Sequence, residues 1–302
     1  MEGLEKVTNT LERRVARLFS ARMLRPVLVG QKASPLKLAV WELRSDLQLS
    51  PDATAGEVLS AAYQVLSTSY RSEYFYKNLI ASKVVVGKHR ASNVVMLSEF
   101  RLGTSVADCV LINGSGMVYE IKTEFDSPEK LQSQLRNYFR AFPLVSVVAH
   151  ENTAGRYLRV LEGTPAGLLV VGPRSRLSTA KAPQYTDEHL HIPTMFNALR
   201  QADIETILTN TFGKLDPVPN GLRYAERLSI ANTMSPVSFQ IGMQVALKRR
   251  LFRADRDLVI NQITEPLRAL LLQINPTPEQ GANLLNWLGS KEHSVVLPVS
   301  KE

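Results

Sequence analysis

Asp108, Glu120 and Lys122 are the residues whose types and spacing point most directly to chemistry. Asp108 stands alone in an apolar run, Val106-Ala107-Asp108-Cys109-Val110-Leu111-Ile112. Glu120 and Lys122 lie two apart in Met117-Val118-Tyr119-Glu120-Ile121-Lys122. Residues two apart in a strand share a face, so this carboxylate and this ammonium project together. Between the runs, Asn113-Gly114-Ser115-Gly116 is a strong turn signal, and the whole reads as a hairpin. A turn with an odd number of residues puts Asp108 on the face of Glu120; an even one puts it on the opposite face.

Two carboxylates on one apolar face are costly to bury unless they pair or hold an ion. Asp108 and Glu120 supply hard anionic oxygens, and the backbone carbonyl of Ile121 offers a third. With water and a substrate phosphate this set suits an octahedral Mg²⁺ or Mn²⁺. Lys122 beside such a cation can position water or offset charge on a phosphoryl transition state. A helix is expected to follow, with Ser127 as N-cap and Pro128 in its first turn. Gln134 and Tyr138, four apart, share one face of it and can point back over the hairpin. The competing reading of Glu-x-Lys on a strand is a solvated face or a cross-strand ion pair.

Asp108, the Glu120-Ile121-Lys122 triplet and the Gln134-Leu135-Arg136-Asn137-Tyr138 helix together resemble the PD-(D/E)XK nuclease superfamily. More narrowly, they resemble its RecB/Cas4-like branch, which carries a Gln-x-x-x-Tyr motif. The resemblance covers roughly residues 70–172 and departs from the pattern at Ala107, where the motif has proline. It implies an α/β restriction-endonuclease-like fold, a mixed central sheet flanked by helices. It also implies a catalytic set of Asp108, Glu120, Lys122, Gln134 and Tyr138. Members of the superfamily often carry a further carboxylate on the helix before the hairpin, and Glu73 matches that place. Lys77, one turn on, is the alternative partner for Glu73.

The chain has 302 residues, 36 Lys and Arg against 28 Asp and Glu, and a net charge of +8. That balance leans toward a polyanionic partner. Arg136 and Arg140 on the Gln134 helix, and the cluster Lys248, Arg249, Arg250 and Arg253, are candidate nucleic-acid contacts or ordinary solvated faces. A single cysteine, Cys109, excludes an intramolecular disulfide and a cysteine-based zinc site. His189 and His191 lie two apart without a third ligand at workable spacing. No Gly-x-x-x-x-Gly-Lys-Ser/Thr run provides an ATPase site. The first residues, MEGLEKVTNTLERR, are charged and do not read as a secretory signal. No apolar run is long enough to cross a membrane, so a cytoplasmic location is expected.

The elements that must position these groups follow from periodicity and breakers. Residues 4–25 read as one amphipathic helix with an arginine-rich outer face, ended by Pro26. Further helices are expected from Pro35, from a cap at Asp52 or Thr54, and over 70–87. Val94 to Phe100 reads as the first strand. The nearly all-apolar 143–149 and 166–172 read as strands buried on both faces, the first joined to the hairpin by a helical crossover. Residues 174–191 read as an exposed strand or linker, and helices fill most of 193–288. Three modules result: a helical 1–69, a nuclease-like core at 70–185, and a helical 186–302.

The function expected is metal-dependent hydrolysis of phosphodiester bonds, in DNA rather than RNA, and the nuclease resemblance implies a role in bacterial defence or DNA processing. The alternatives are a catalytically inactive nucleic-acid-binding module and a structural partner protein. A protein partner or self-association stays open, and no membrane contact is expected.

Overall fold

A computed structural model describes residues 10–86, 94–251 and 255–291. The chain forms two compact units. One combines residues 1–92 with 253–302; the other is residues 93–252.

The first unit is helical. It begins with α1 (Leu11–Leu18), α2 (Ala21–Leu28), α3 (Pro35–Asp46), α4 (Ala55–Thr68) and α5 (Glu73–Ile80), and a π-helical turn extends α5 through Ala81–Val86. The single helix expected over 4–25 is two. Ser20 is extended and caps α2, its Oγ accepting from the Met23 amide. Pro26 lies inside α2 rather than ending it. Thr54 is the cap of α4, in a reciprocal capping box with Glu57.

The second unit is built on a six-stranded sheet in the order β1-β2-β3-β4-β5-β6. Its strands are β1 (Val95–Leu102), β2 (Ser105–Asn113), β3 (Ser115–Lys122), β4 (Leu144–His150), β5 (Gly167–Val171) and β6 (Leu177–Lys181). β1, β2 and β3 form an antiparallel meander, β3, β4 and β5 run parallel, and β6 closes the sheet antiparallel. The parallel steps carry helical crossovers, α6 (Leu131–Phe139) and α7 (Glu151–Val160). β4 is buried along nearly its whole length, as its unbroken apolar run requires. Four more helices complete the unit: α8 (Ile192–Asn197), α9 (Gln201–Phe212), α10 (Asn220–Ala231) and α11 (Pro236–Leu251). One core joins Val118, Val145 and Leu168 of the sheet to Leu135 and Tyr138 of α6 and to Phe239 and Met243 of α11. The architecture is the expected mixed sheet flanked by helices.

The chain then returns to the helical unit with α12 (Arg256–Gln262), α13 (Arg268–Ile274) and α14 (Pro278–Leu288). Asn78 of α5 donates to the Glu265 carbonyl and accepts from the Ala269 amide. Asn283 of α14 donates to the carbonyl of Leu28. The three consecutive modules expected from the sequence therefore do not coincide with these units. The 70–87 segment goes with both helical ends, and residues 192–251 go with the sheet. No helix among the described residues is long and apolar enough to cross a membrane.

Candidate active site

The hairpin β2–β3 sets the geometry. Asn113 pairs with Ser115 around Gly114, whose φ of +89° lies where only glycine is unstrained. The apex is thus odd, and Cys109 pairs with Tyr119. Continued one step, that register sets Asp108 opposite Glu120 on one face. The next strand over, β1, would set Glu99 opposite Asp108, but its φ of +54° interrupts the ladder at that pair.

Glu120 is 2% exposed and Lys122 is 7% exposed, so this pair is inside the molecule rather than on a solvated face. The Lys122 Nζ donates to Glu120 Oε1 at 2.8 Å and to Gln134 Oε1 at 3.0 Å. The amide nitrogen of Gln134 donates to Glu120 Oε1 at 2.5 Å. The Tyr138 hydroxyl donates to Glu120 Oε2 at 2.6 Å and lies 2.9 Å from the Val106 carbonyl. Burial of the Tyr138 phenol pushes its pKa well up, and the charge and hydrogen bond of Glu120, then the charge of Asp108, add to the rise. The phenol stays protonated at neutral pH and acts as a donor.

Asp108 is half-buried, and its Oδ2 accepts the Ile121 amide at 2.7 Å. That bond ties the two strands together where the ladder stops. The Val106 carbonyl and the Ile121 amide are parts of the network that side-chain spacing could not reveal.

The helix α6 begins at Leu131, three residues later than expected, after a tight turn. The Asp126 carboxylate accepts from the amide and hydroxyl of Thr123, both at 2.7 Å. Arg156 and Tyr157 of α7 donate to the Asp126 carbonyl. Ser127 accepts from the Glu129 amide, and Lys130 occupies the N-cap. The delay still leaves Gln134 and Tyr138 one turn apart on the inward face. At the far end, Asn137 donates to the hydroxyls of Thr104 and Ser105.

Asp108, Glu120, Lys122, Gln134 and Tyr138 are therefore brought together. Glu73 belongs to the helical unit, where Lys77 pairs with it at 2.5 Å. Arg136 and Arg140 are exposed on the outer side of α6. Lys248 and Arg249 lie in the last turns of α11, Lys248 half-buried and Arg249 exposed. The Arg250 side chain and Arg253 fall outside the described residues. His150 caps α7, accepting from the Asn152 amide, and His191 lies 3.0 Å from the Thr194 hydroxyl.

The donor set fits a hard divalent cation in kind. The hairpin register sets the two carboxylate residues opposite each other, and among the described residues Glu120 Oε2 has one protein donor, leaving acceptor capacity. Among the described residues no third histidine, cysteine, aspartate or glutamate completes a metal cluster.

No curated protein matches the chain. One solved structure, the SPO1766 protein of unknown function from Silicibacter pomeroyi, is 14% identical over 32% of this chain and 64% of its own, with a TM-score of 0.26. The chain thus spans less than two thirds of that protein, and a likeness this low carries no structural argument. The family model of bacteriophage P4 protein cII matches residues 67–265, which takes in the whole hairpin, α6 and the rest of the sheet unit, and the chain belongs to that family.

Proposed function

We propose that this protein is a metal-dependent phosphodiesterase acting on nucleic acid, DNA rather than RNA. The observation that carries the proposal is the buried network around Glu120, in which Lys122, Gln134 and Tyr138 converge on one carboxylate with Asp108 opposite. Asp108, Glu120 and the Ile121 carbonyl would hold Mg²⁺ or Mn²⁺. When bound, such a cation supplies Lewis-acid polarisation of a phosphoryl oxygen. Lys122 contributes a fixed positive charge where negative charge gathers on the phosphate in the transition state. Gln134 bridges Lys122 and Glu120 and holds both in place. Tyr138, kept protonated, fixes the second oxygen of Glu120 and leaves it no freedom to turn away.

The test is cleavage of plasmid and labelled oligonucleotides with Mg²⁺ or Mn²⁺. Asp108→Asn is the informative variant. It removes an anionic ligand but keeps an oxygen to accept the Ile121 amide, so the fold is expected to survive. Cleavage is expected to fall about a hundredfold or more. Undiminished cleavage by Asp108→Asn, or none by the parent with either metal, sinks the proposal. The near-complete enclosure of Glu120 favours one other reading, a binding module with a structural hairpin. Binding that persists in EDTA without cleavage under any metal selects it.

A further inference from the structure

The helix that carries Gln134 and Tyr138 on its inner side borders a groove of about 630 Å³ on its outer side. Gln132, Ser133 and Arg136 of α6 and Arg140 at its C-cap line it, with Thr104 from the β1–β2 turn and Gly163 to Pro165 from the loop after α7. Leu135 and Phe139, 3% and 5% exposed, form an apolar floor, and the His189 ring meets Phe139 edge-on at 6.5 Å. Neither Arg136 nor Arg140 has an ion pair or side-chain hydrogen bond among the described residues, and no acidic residue lines the groove.

We infer that this groove binds a single-stranded stretch of polynucleotide, with Arg136 and Arg140 on its phosphates and a base against the Leu135–Phe139 floor. The inference rests on the nucleic-acid reading of the neighbouring site and adds the strandedness of the ligand. Two uncommitted guanidinium groups one helical turn apart, with no counter-charge, select an anion that repeats along a chain. The apolar floor decides the form of that anion. A duplex presents phosphates outward and hides its base faces, so it leaves such a floor unused. A single strand offers phosphate and an unstacked base together. The groove lies in the size range of small-ligand sites, with room inside for a nucleotide or so. Because one short helix carries both the groove and Gln134, a strand seated there is held in fixed relation to the hairpin.

The experiment is fluorescence anisotropy on the whole chain in EDTA, where cleavage plays no part. The probes are a labelled oligothymidylate, an abasic oligomer of the same length, and a hairpin duplex of equal nucleotide count. The oligothymidylate is expected to bind tightest, and the abasic oligomer several-fold more weakly. In the double variant Arg136→Glu, Arg140→Glu the affinity should fall about tenfold or more. Its log–log salt dependence should flatten by about 1.4, the share of two phosphate contacts on a single strand. Both arginines are exposed, so the melting temperature should hold; Arg136→Gln, Arg140→Gln provides a milder pair with the same direction. Unchanged binding by both double variants, a preference for duplex, or equal binding of the abasic oligomer overturns the inference. Loss of cleavage with these results intact fails the catalytic reading alone, and cleavage with unaffected binding fails the groove alone.

Discussion

Glu120 has almost no access to water, yet three donors satisfy it, and this fixes what each neighbour contributes. A hydrogen bond to a buried charge contributes about 1.5–3 kcal/mol. Tyr138→Phe is therefore expected to cost about that much in chemical denaturation, while Asp108→Asn costs far less. Equal costs would show that Glu120 does not depend on its phenol donor. The raised Tyr138 pKa also has a sign in pH. Above the unfolded value of about 10 the unfolded chain loses a proton that the folded chain keeps, so stability is present below pH 10 and declines above it. Tyr138→Phe should make that alkaline decline shallower. His191 runs the other way: burial, helped by the Arg140 charge, lowers its pKa. Its contribution is present above about pH 6.5 and lost as the unfolded state takes up a proton below that. Arg140→Ala should move the His191 titration upward, as followed by NMR. At this scale the sequence was informative because strand and helix periods alone bring Glu120, Lys122, Gln134 and Tyr138 to common faces. It could not disclose that Gln134 uses both ends of its amide; for Glu73 it left the metal site and Lys77 as alternatives, and Lys77 is the partner.

Periodicity located β1 to β5 and most helices, left β6 undecided between exposed strand and linker, and placed several helix ends wrongly. The start of α6 is the clearest case. Ser127-Pro128 has the chemistry of a helix start, but the Thr123–Asp126 turn and the bonds from Arg156 and Tyr157 hold the chain in another path. Those partners lie some thirty residues away along the chain and leave no local mark. Space is equally hidden. Gly116 looks like part of a turn, yet a Cβ there would lie 2.6 Å from the Phe142 ring. Gly116→Ala is expected to cost about 1–3 kcal/mol through overpacking, read as a lowered denaturation midpoint with unchanged slope. A neutral substitution would mean that Phe142 can move aside. Thr54→Ala, which removes the cap of α4, is expected to cost about 1 kcal/mol.

The boundaries between units were the least legible feature, because nothing in composition marks them. Asn78 finds its partners at Glu265 and Ala269, across the whole sheet-bearing segment. The contiguous 93–252 holds a complete core, whereas the helical unit needs both ends of the chain. A fragment of residues 93–252 is therefore expected to unfold cooperatively by circular dichroism. Residues 1–92 alone should lose the ordered helices that α13 and α14 complete. A cooperative 1–92 or a molten 93–252 would contradict that division.

The split also imposes a timetable on the newborn chain. At elongation rates of about 5–20 residues per second, the ribosome takes on the order of ten seconds or more to travel from α5 to α14. Throughout that interval Asn78 and the apolar stripes of the early helices wait in water for covering that does not yet exist, while the later, self-sufficient segment can already close. A cell making this protein thus handles a nascent chain whose middle is finished before its beginning.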